Sequence, residues 1–217
     1  IGSGKSAQAG SQLETQSRRA DQFRSNFISA ADDFAGQLTT DLQREHVQHA
    51  RSSLQALDAH RERVRRENLP VPQAVGPYTE VINRLITLIA DEATLVGDAD
   101  LAGALQGLLQ LTYAKEAAGL ERARGSAVLA SGAINDTAHE ALIALNSQQQ
   151  QMLSNYRSAM SDDWTSVLDR LEESATSQRI SDIRENLHRA GYDGQLPDVT
   201  SNEWFDLTTS RIEQMMD

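Results

Sequence analysis

Apolar residues recur at steps of three and four along most of the chain, the spacing of a helix that hides one face. Phe23, Phe27, Ala30 and Phe34 form one such stripe, and Leu38, Leu42, Val47, Leu54 and Leu57 carry an apolar thread onward. Tyr78, Ile82, Leu85, Ile86 and Ile89 form the next, and Leu142, Leu145, Met152, Leu153 and Tyr156 another. Trp164, Leu168, Leu171, Ile180, Ile183 and Leu187 read as one further helix, opened by Ser161-Asp162-Asp163. A single helix from Ser11 to Asn68 would be about 87 Å long, too long for a compact domain, so the pattern predicts two, broken between Ser29 and Gly36. Leu69-Pro70-Val71-Pro72 is a firm break, Pro77 falls near the start of the following helix, and Gly97 closes it. Ile1 to Gly10 reads as a small, polar loop, and Gly191 to Pro197 as a turn-rich one. Thr200 and Glu203 have the spacing of a capping box for the last helix.

The stretch from Leu101 to Gly132 stands apart. As one helix it would span about 48 Å, with Asp98 and Asp100 as candidate N-caps. A seam through Leu101, Leu105, Leu108, Thr112, Lys115, Gly119, Arg122, Ser126 and Leu129 is apolar at its ends and polar in its middle. Cations on a buried seam demand a partner, because an unpaired buried charge costs several kcal/mol. Either a carboxylate of a neighbouring helix meets Arg122, with Gly119 letting that helix come close, or a ligand does. A second seam, through Ala102, Leu105, Leu109, Thr112, Glu116, Ala123, Ala127 and Ala130, would turn Arg122 partly outward. Periodicity leaves both open.

Composition narrows the class. Aromatic residues make up 5% of the 217 and prolines number four, which favours helix throughout and sheet nowhere. No apolar run reaches membrane-spanning length, and no signal peptide opens the chain. Cysteine is absent, which removes disulfides and thiolate metal sites and fits an extracytoplasmic location without requiring it. The net charge of −11 argues against a nucleic-acid partner and requires any anion site to be a local feature. His46 and His49, beside Glu45, read as solvated side chains rather than half a metal site. Gly-Ser-Gly-Lys-Ser at the start lacks the first glycine and the spacing of a phosphate-binding loop. The basic run Arg61 to Arg66 suits a helix C-terminus, and the Gln148 to Gln151 run reads as a wetted helix face. No catalytic constellation, cofactor motif or metal site emerges, so a binding domain is favoured over an enzyme.

Lys115-Glu116-Ala117-Ala118-Gly119-Leu120-Glu121-Arg122-Ala123, followed by the break Ser131-Gly132, resembles the second signature of the nitrate- and nitrite-sensing domain family. Glu203-Trp204-Phe205 through Arg211-Ile212 resembles that family's closing helix. The resemblance implies an all-α fold of two four-helix bundles side by side. It implies one ligand-binding domain over residues 1–217 that holds nitrate or nitrite through arginines. Carried onto this chain it points to Arg122 and Arg211, with Gly119, Lys115 and Ser126 on the same seam as Arg122. The family carries its signature twice. Ser3-Gly4 and Leu13 to Gln16 match the break and the Leu145 to Gln148 step of the second half, which would place the first signature helix upstream of Ile1. The expectations are a population-shift sensor that passes a helix-packing change to an output module, in the periplasmic part of a membrane-anchored receptor or else in the cytoplasm. The parent protein could act as a homodimer. A bundle that senses another small anion or organic acid, or a structural bundle without ligand, stands as the alternative.

Overall fold

In the computed structural model of the chain, residues 2–38, 40–67, 69, 71–95 and 97–215 are described, without the side chains of 2–13, 71, 72 and 92–95. The described residues form eight α-helices and no strand. They are α1 (Gly2–Asp33), α2 (Asp41–Arg66), α3 (Val71–Leu95), α4 (Ala99–Ser131), α5 (Asp136–Ala159), α6 (Asp162–Glu172), α7 (Ala175–Asp193) and α8 (Ser201–Gln214). The all-α expectation holds. The chain divides into two compact units, Ile1–Leu88 and Ile89–Asp217. The first carries α1, α2 and most of α3, the second α4 to α8.

Local chemistry sets the helix ends. Thr40 and Gln43 form a full capping box at the start of α2, and Asp98 caps α4 by accepting from the Leu101 amide at 2.9 Å. Gly132 ends α4 in the left-handed region, φ 71°, where a side chain would be strained. At α8 only half of the expected box is made. Thr200 accepts from the Glu203 amide at 3.1 Å, while the Glu203 carboxylate takes Arg179 at 2.9 Å instead.

Two expectations are corrected. The opening residues are not a loop: α1 is helical from Gly2, so Gly-Ser-Gly-Lys-Ser forms helix rather than a phosphate cradle. The proposed match at Ser3-Gly4 and Leu13 rests on side chains outside the described residues. The long helix expected through Trp164 and Leu187 is two, α6 and α7, parted at Glu173-Ser174. Ser174 caps α7 by accepting from the Ser177 amide, and Ser177 Oγ donates to the last-turn carbonyl of Leu171 at 2.7 Å. Serine side chains offer the backbone an alternative to helix, and two of them here make the break.

In the first unit Leu54, Leu57 and Val81 form the core, with Phe27, Tyr78 and Leu85 against it. In the second, one cluster gathers Ala114, Leu153, Tyr156, Leu168, Leu171 and Met215. Another gathers Val128, Leu142, Ile180, Ile183, Leu187 and Trp204. Both depend on α4, which packs against α5 and α8.

Candidate functional site

The buried seam of α4 is Gly107, Ala114, Ala118, Glu121, Gly125 and Val128. It lies one residue before the seam expected from the sequence, and Leu101 and Leu108 of that expected seam are about half exposed. The reason is size. Helices flank α4 closely, so the smallest residues face inward, and periodicity alone cannot set the phase of a stripe. A Cβ on Gly125 would overlap the indole of Trp204, which is fully buried. The glycine is what lets α8 seat on α4.

The shift moves a different charge into the core. Glu121 is 2% exposed and Gln149, from α5, is 1% exposed. Arg184 of α7 donates to Glu121 through Nε at 2.7 Å and through Nη2 at 2.6 Å, a two-armed grip on the carboxylate. Arg184 Nη2 also donates to Gln149 Oε1 at 2.9 Å, and Gln149 Nε2 donates to Glu121 Oε2 at 2.7 Å. Arg211 of α8 joins by a 3.3 Å bond from Nη1 to Gln149 Oε1 and makes no ion pair among the described residues. Burial, with the Arg184 cation adding to it, pushes Arg211 down to about 10, against partial relief from Glu121 and Glu172. Arg184 alone grips the carboxylate and Arg211 joins only through Gln149, so the hydrogen-bonded cluster carries a surplus positive charge. The expectation of a wetted glutamine run is corrected at Gln149, the inward member of the run. Beside the network lies a cavity of about 360 Å³, lined by His139, Asn146, Ser147, Ser181, Arg184 and His188 among others. Its one arginine already has its fork occupied by Glu121.

Arg122, the next residue along, leaves α4 in another direction and meets α8. Its Nη1 donates to Thr209 Oγ1 at 2.7 Å, and its guanidinium lies 4.7 Å from the centre of the Phe205 ring. Its own carbonyl accepts from Trp204 Nε1 at 3.1 Å. Its Nε is buried with no hydrogen-bond partner. Nη2, on the same edge of the guanidinium as the Nε hydrogen, makes no hydrogen bond among the described residues either. The carboxylate that a structural role would require is not there: Arg122 makes no ion pair among the described residues. Burial lowers its pKa, which Glu213 partly counters. One turn on, Ser126 Oγ is also buried without a partner, while the Ser126 carbonyl accepts from Ser201 Oγ at 3.0 Å. One turn back, Gly119 has open space where a Cβ would be. Lys115 sits a further turn back on this face, half-buried, its pKa lowered by that burial.

Of the residues expected from the sequence, Lys115, Gly119, Arg122 and Ser126 thus share one face of α4. Arg211 is on α8 but in the buried network, and it shares no hydrogen-bond partner with Arg122. Sequence reading missed Gln149 and Arg184, and Phe205 and Thr209 stood in the quoted closing stretch without a role. Glu121 stood in the quoted motif but was assigned no role. An acid beside the motif arginine was a usable signal. Gln149 and Arg184 carry none without the fold.

A profile described as nitrate and nitrite sensing matches residues 1–217. The chain belongs to the nitrate- and nitrite-sensing family. It is 27% identical over 165 residues to a nitrate regulatory protein of Klebsiella oxytoca, a match that covers 75% of this chain and 40% of that protein. Its fold matches that of the NasR transcription antiterminator with a TM-score of 0.79 at 24% identity, covering 90% of this chain and 52% of the other. The chain therefore spans about half of these proteins or less. This family membership makes the domain a regulatory sensing domain rather than an enzyme.

Two expectations fall with these comparisons. Excluding nucleic acid from the partners is corrected, because a structural relative is a transcription antiterminator. The acidic balance describes these 217 residues, and the relatives extend well beyond the part that they match. The periplasmic, membrane-anchored receptor is corrected too, because the relatives are a nitrate regulatory protein and a transcription antiterminator. Among the described residues no helix is long and apolar enough to cross a membrane.

Proposed function

We propose that the second unit binds nitrate or nitrite on the Lys115–Gly119–Arg122–Ser126 face of α4, beside α8. The observation that carries this reading is the uncommitted edge of Arg122, whose buried Nε has no partner. Leaving a buried donor unsatisfied costs about 1–3 kcal/mol, more for a charged group, so such an edge is a site in want of an acceptor. Nitrate and nitrite both offer two oxygens in one plane, and the Nε–Nη2 edge offers two parallel donors to meet them. Ser126 Oγ supplies a further donor from the same face. Gly119 leaves room for the ion, and the half-buried Lys115 adds positive potential. Arg211 contributes charge from inside the core, from a network that already carries one cation in excess.

The anion would favour one packing of α4 against its neighbours, and a preference between packings is all that a population shift needs. In the longer protein that shift would pass to an output module, in keeping with relatives named for nitrate regulation and antitermination. Titration calorimetry and melting curves with nitrate, nitrite, chloride and acetate test the reading. Nitrate or nitrite should bind and raise Tm where chloride and acetate at the same concentration do not. Equal shifts with all four would reduce the effect to ionic strength, and binding of acetate alone would assign the site to organic acids.

A further inference from the structure

Among the described residues, the hydrogen bonds and ring contact that Arg122 makes beyond its own helix all come from α8. Thr209 takes Nη1, Phe205 lies under the guanidinium, and Trp204 takes the main-chain carbonyl. Thr208, the neighbouring hydroxyl, is spent on its own helix, donating to the Trp204 carbonyl at 2.7 Å. An arginine has many rotamers, and fixing Nη1 on Thr209 while the plane rests on Phe205 leaves the Nε–Nη2 edge aimed in one direction. If α8 lifts from α4, Arg122 loses all three contacts together and the fork loses its aim.

We propose that α8 is the response element of the domain: anion occupancy at Arg122 and the seating of α8 on α4 are one coupled equilibrium, with Thr209 and Phe205 as positioning residues. The proposal rests on the reading of Arg122 as the anion ligand. Coupling of this kind is reciprocal. A seated α8 raises affinity by pre-orienting the fork, and a bound anion holds α8 down by the same factor. The seat is also wired onward. Arg211, on the core side of α8, donates to Gln149 of α5, and the same Gln149 oxygen accepts from Arg184 of α7. A change in how α8 sits therefore reaches two further helices, α5 and α7, without the anion touching them.

The test is amide hydrogen exchange over α8, with and without nitrate, together with nitrate affinity in the whole chain and in Thr209→Val and Thr209→Ser. Valine keeps the shape and loses the acceptor, so the fold is retained, while serine keeps the acceptor. We expect nitrate to slow exchange in α8 more than in α6, which makes no contact with Arg122. Thr209→Val should bind nitrate more weakly by about tenfold or more, the loss of one hydrogen bond to a charged group, and should lose most of the nitrate-dependent protection. Thr209→Ser should restore both. If wild type binds nitrate while α8 exchange stays unchanged and Thr209→Val binds equally well, the coupling is wrong and the site reading stands. If wild type binds no nitrate at all, the site reading falls and takes the coupling with it.

Discussion

Glu121 and Arg122 leave α4 about 100° apart, and each meets burial differently. Glu121 is enclosed by partners: two donors from Arg184 and one from Gln149. Arg122 is held on one edge by α8 and left bare on the other. A charge surrounded by partners belongs to the architecture, because nothing further is needed to satisfy it. A charge held rigidly yet left with an empty edge is prepared for something that arrives later. On the proposed reading, adjacent residues of one motif divide structural and receptive work between them.

The sharpest way to break this contrast is Glu121→Gln. It removes the carboxylate that the half-buried Arg184 grips beside the buried Arg211, so stability should fall by about 3–5 kcal/mol, read by chemical denaturation. A loss under about 1 kcal/mol would mean that water or rearrangement satisfies the cations, and that the network is not closed. Gly125→Ala comes next. The added methyl group overlaps the Trp204 indole, and the resulting strain should cost about 1–3 kcal/mol, seen as a lower Tm. Because α8 would then sit less well, nitrate affinity should fall with it.

Arg122→Lys probes the receptive side. Lysine keeps the charge and loses the fork, so nitrate affinity should drop about tenfold or more while the Tm without nitrate barely moves. Unchanged affinity by calorimetry would remove Arg122 from the site. Arg211→Met should change stability only slightly, a gain of less than about 1 kcal/mol, because it withdraws the surplus buried cation. The sign follows from the depressed pKa. A folded-state value of about 10 means that the folded protein binds this proton more weakly than the unfolded chain. The penalty is therefore present in full below pH 10 and is relieved as pH rises through that value. Arg211→Met should lack that relief. If the variant instead abolishes nitrate binding, Arg211 touches the ion and the two environments are one.

Helix content, most helix ends and the Arg122 face were legible in the sequence. Gly132, Asp98 and Thr200 carry their signals locally, because capping is chemistry between near neighbours. The α6–α7 break was missed since Ser174 and Ser177 resemble any other polar residues of an exposed helix. The one-residue offset in the α4 seam has a deeper cause. Small and apolar residues surround this helix on most sides, so several stripes share the same period, and only the neighbours decide which is buried. The same holds for Gln149: its neighbours Gln148, Gln150 and Gln151 are exposed, and nothing in four like residues marks the inward one.

The close approach at Gly125 also gives the protein a built-in optical reporter. The chain has two tryptophans. Trp204 is wholly buried against α4, while Trp164 is 60% exposed on α6. An aqueous quencher should reach the second and spare the first, leaving an emission component that comes from the α4–α8 contact alone. Any loosening of that contact would bring water to the indole and shift that component to longer wavelength, so the seating of α8 can be followed in solution without adding a label.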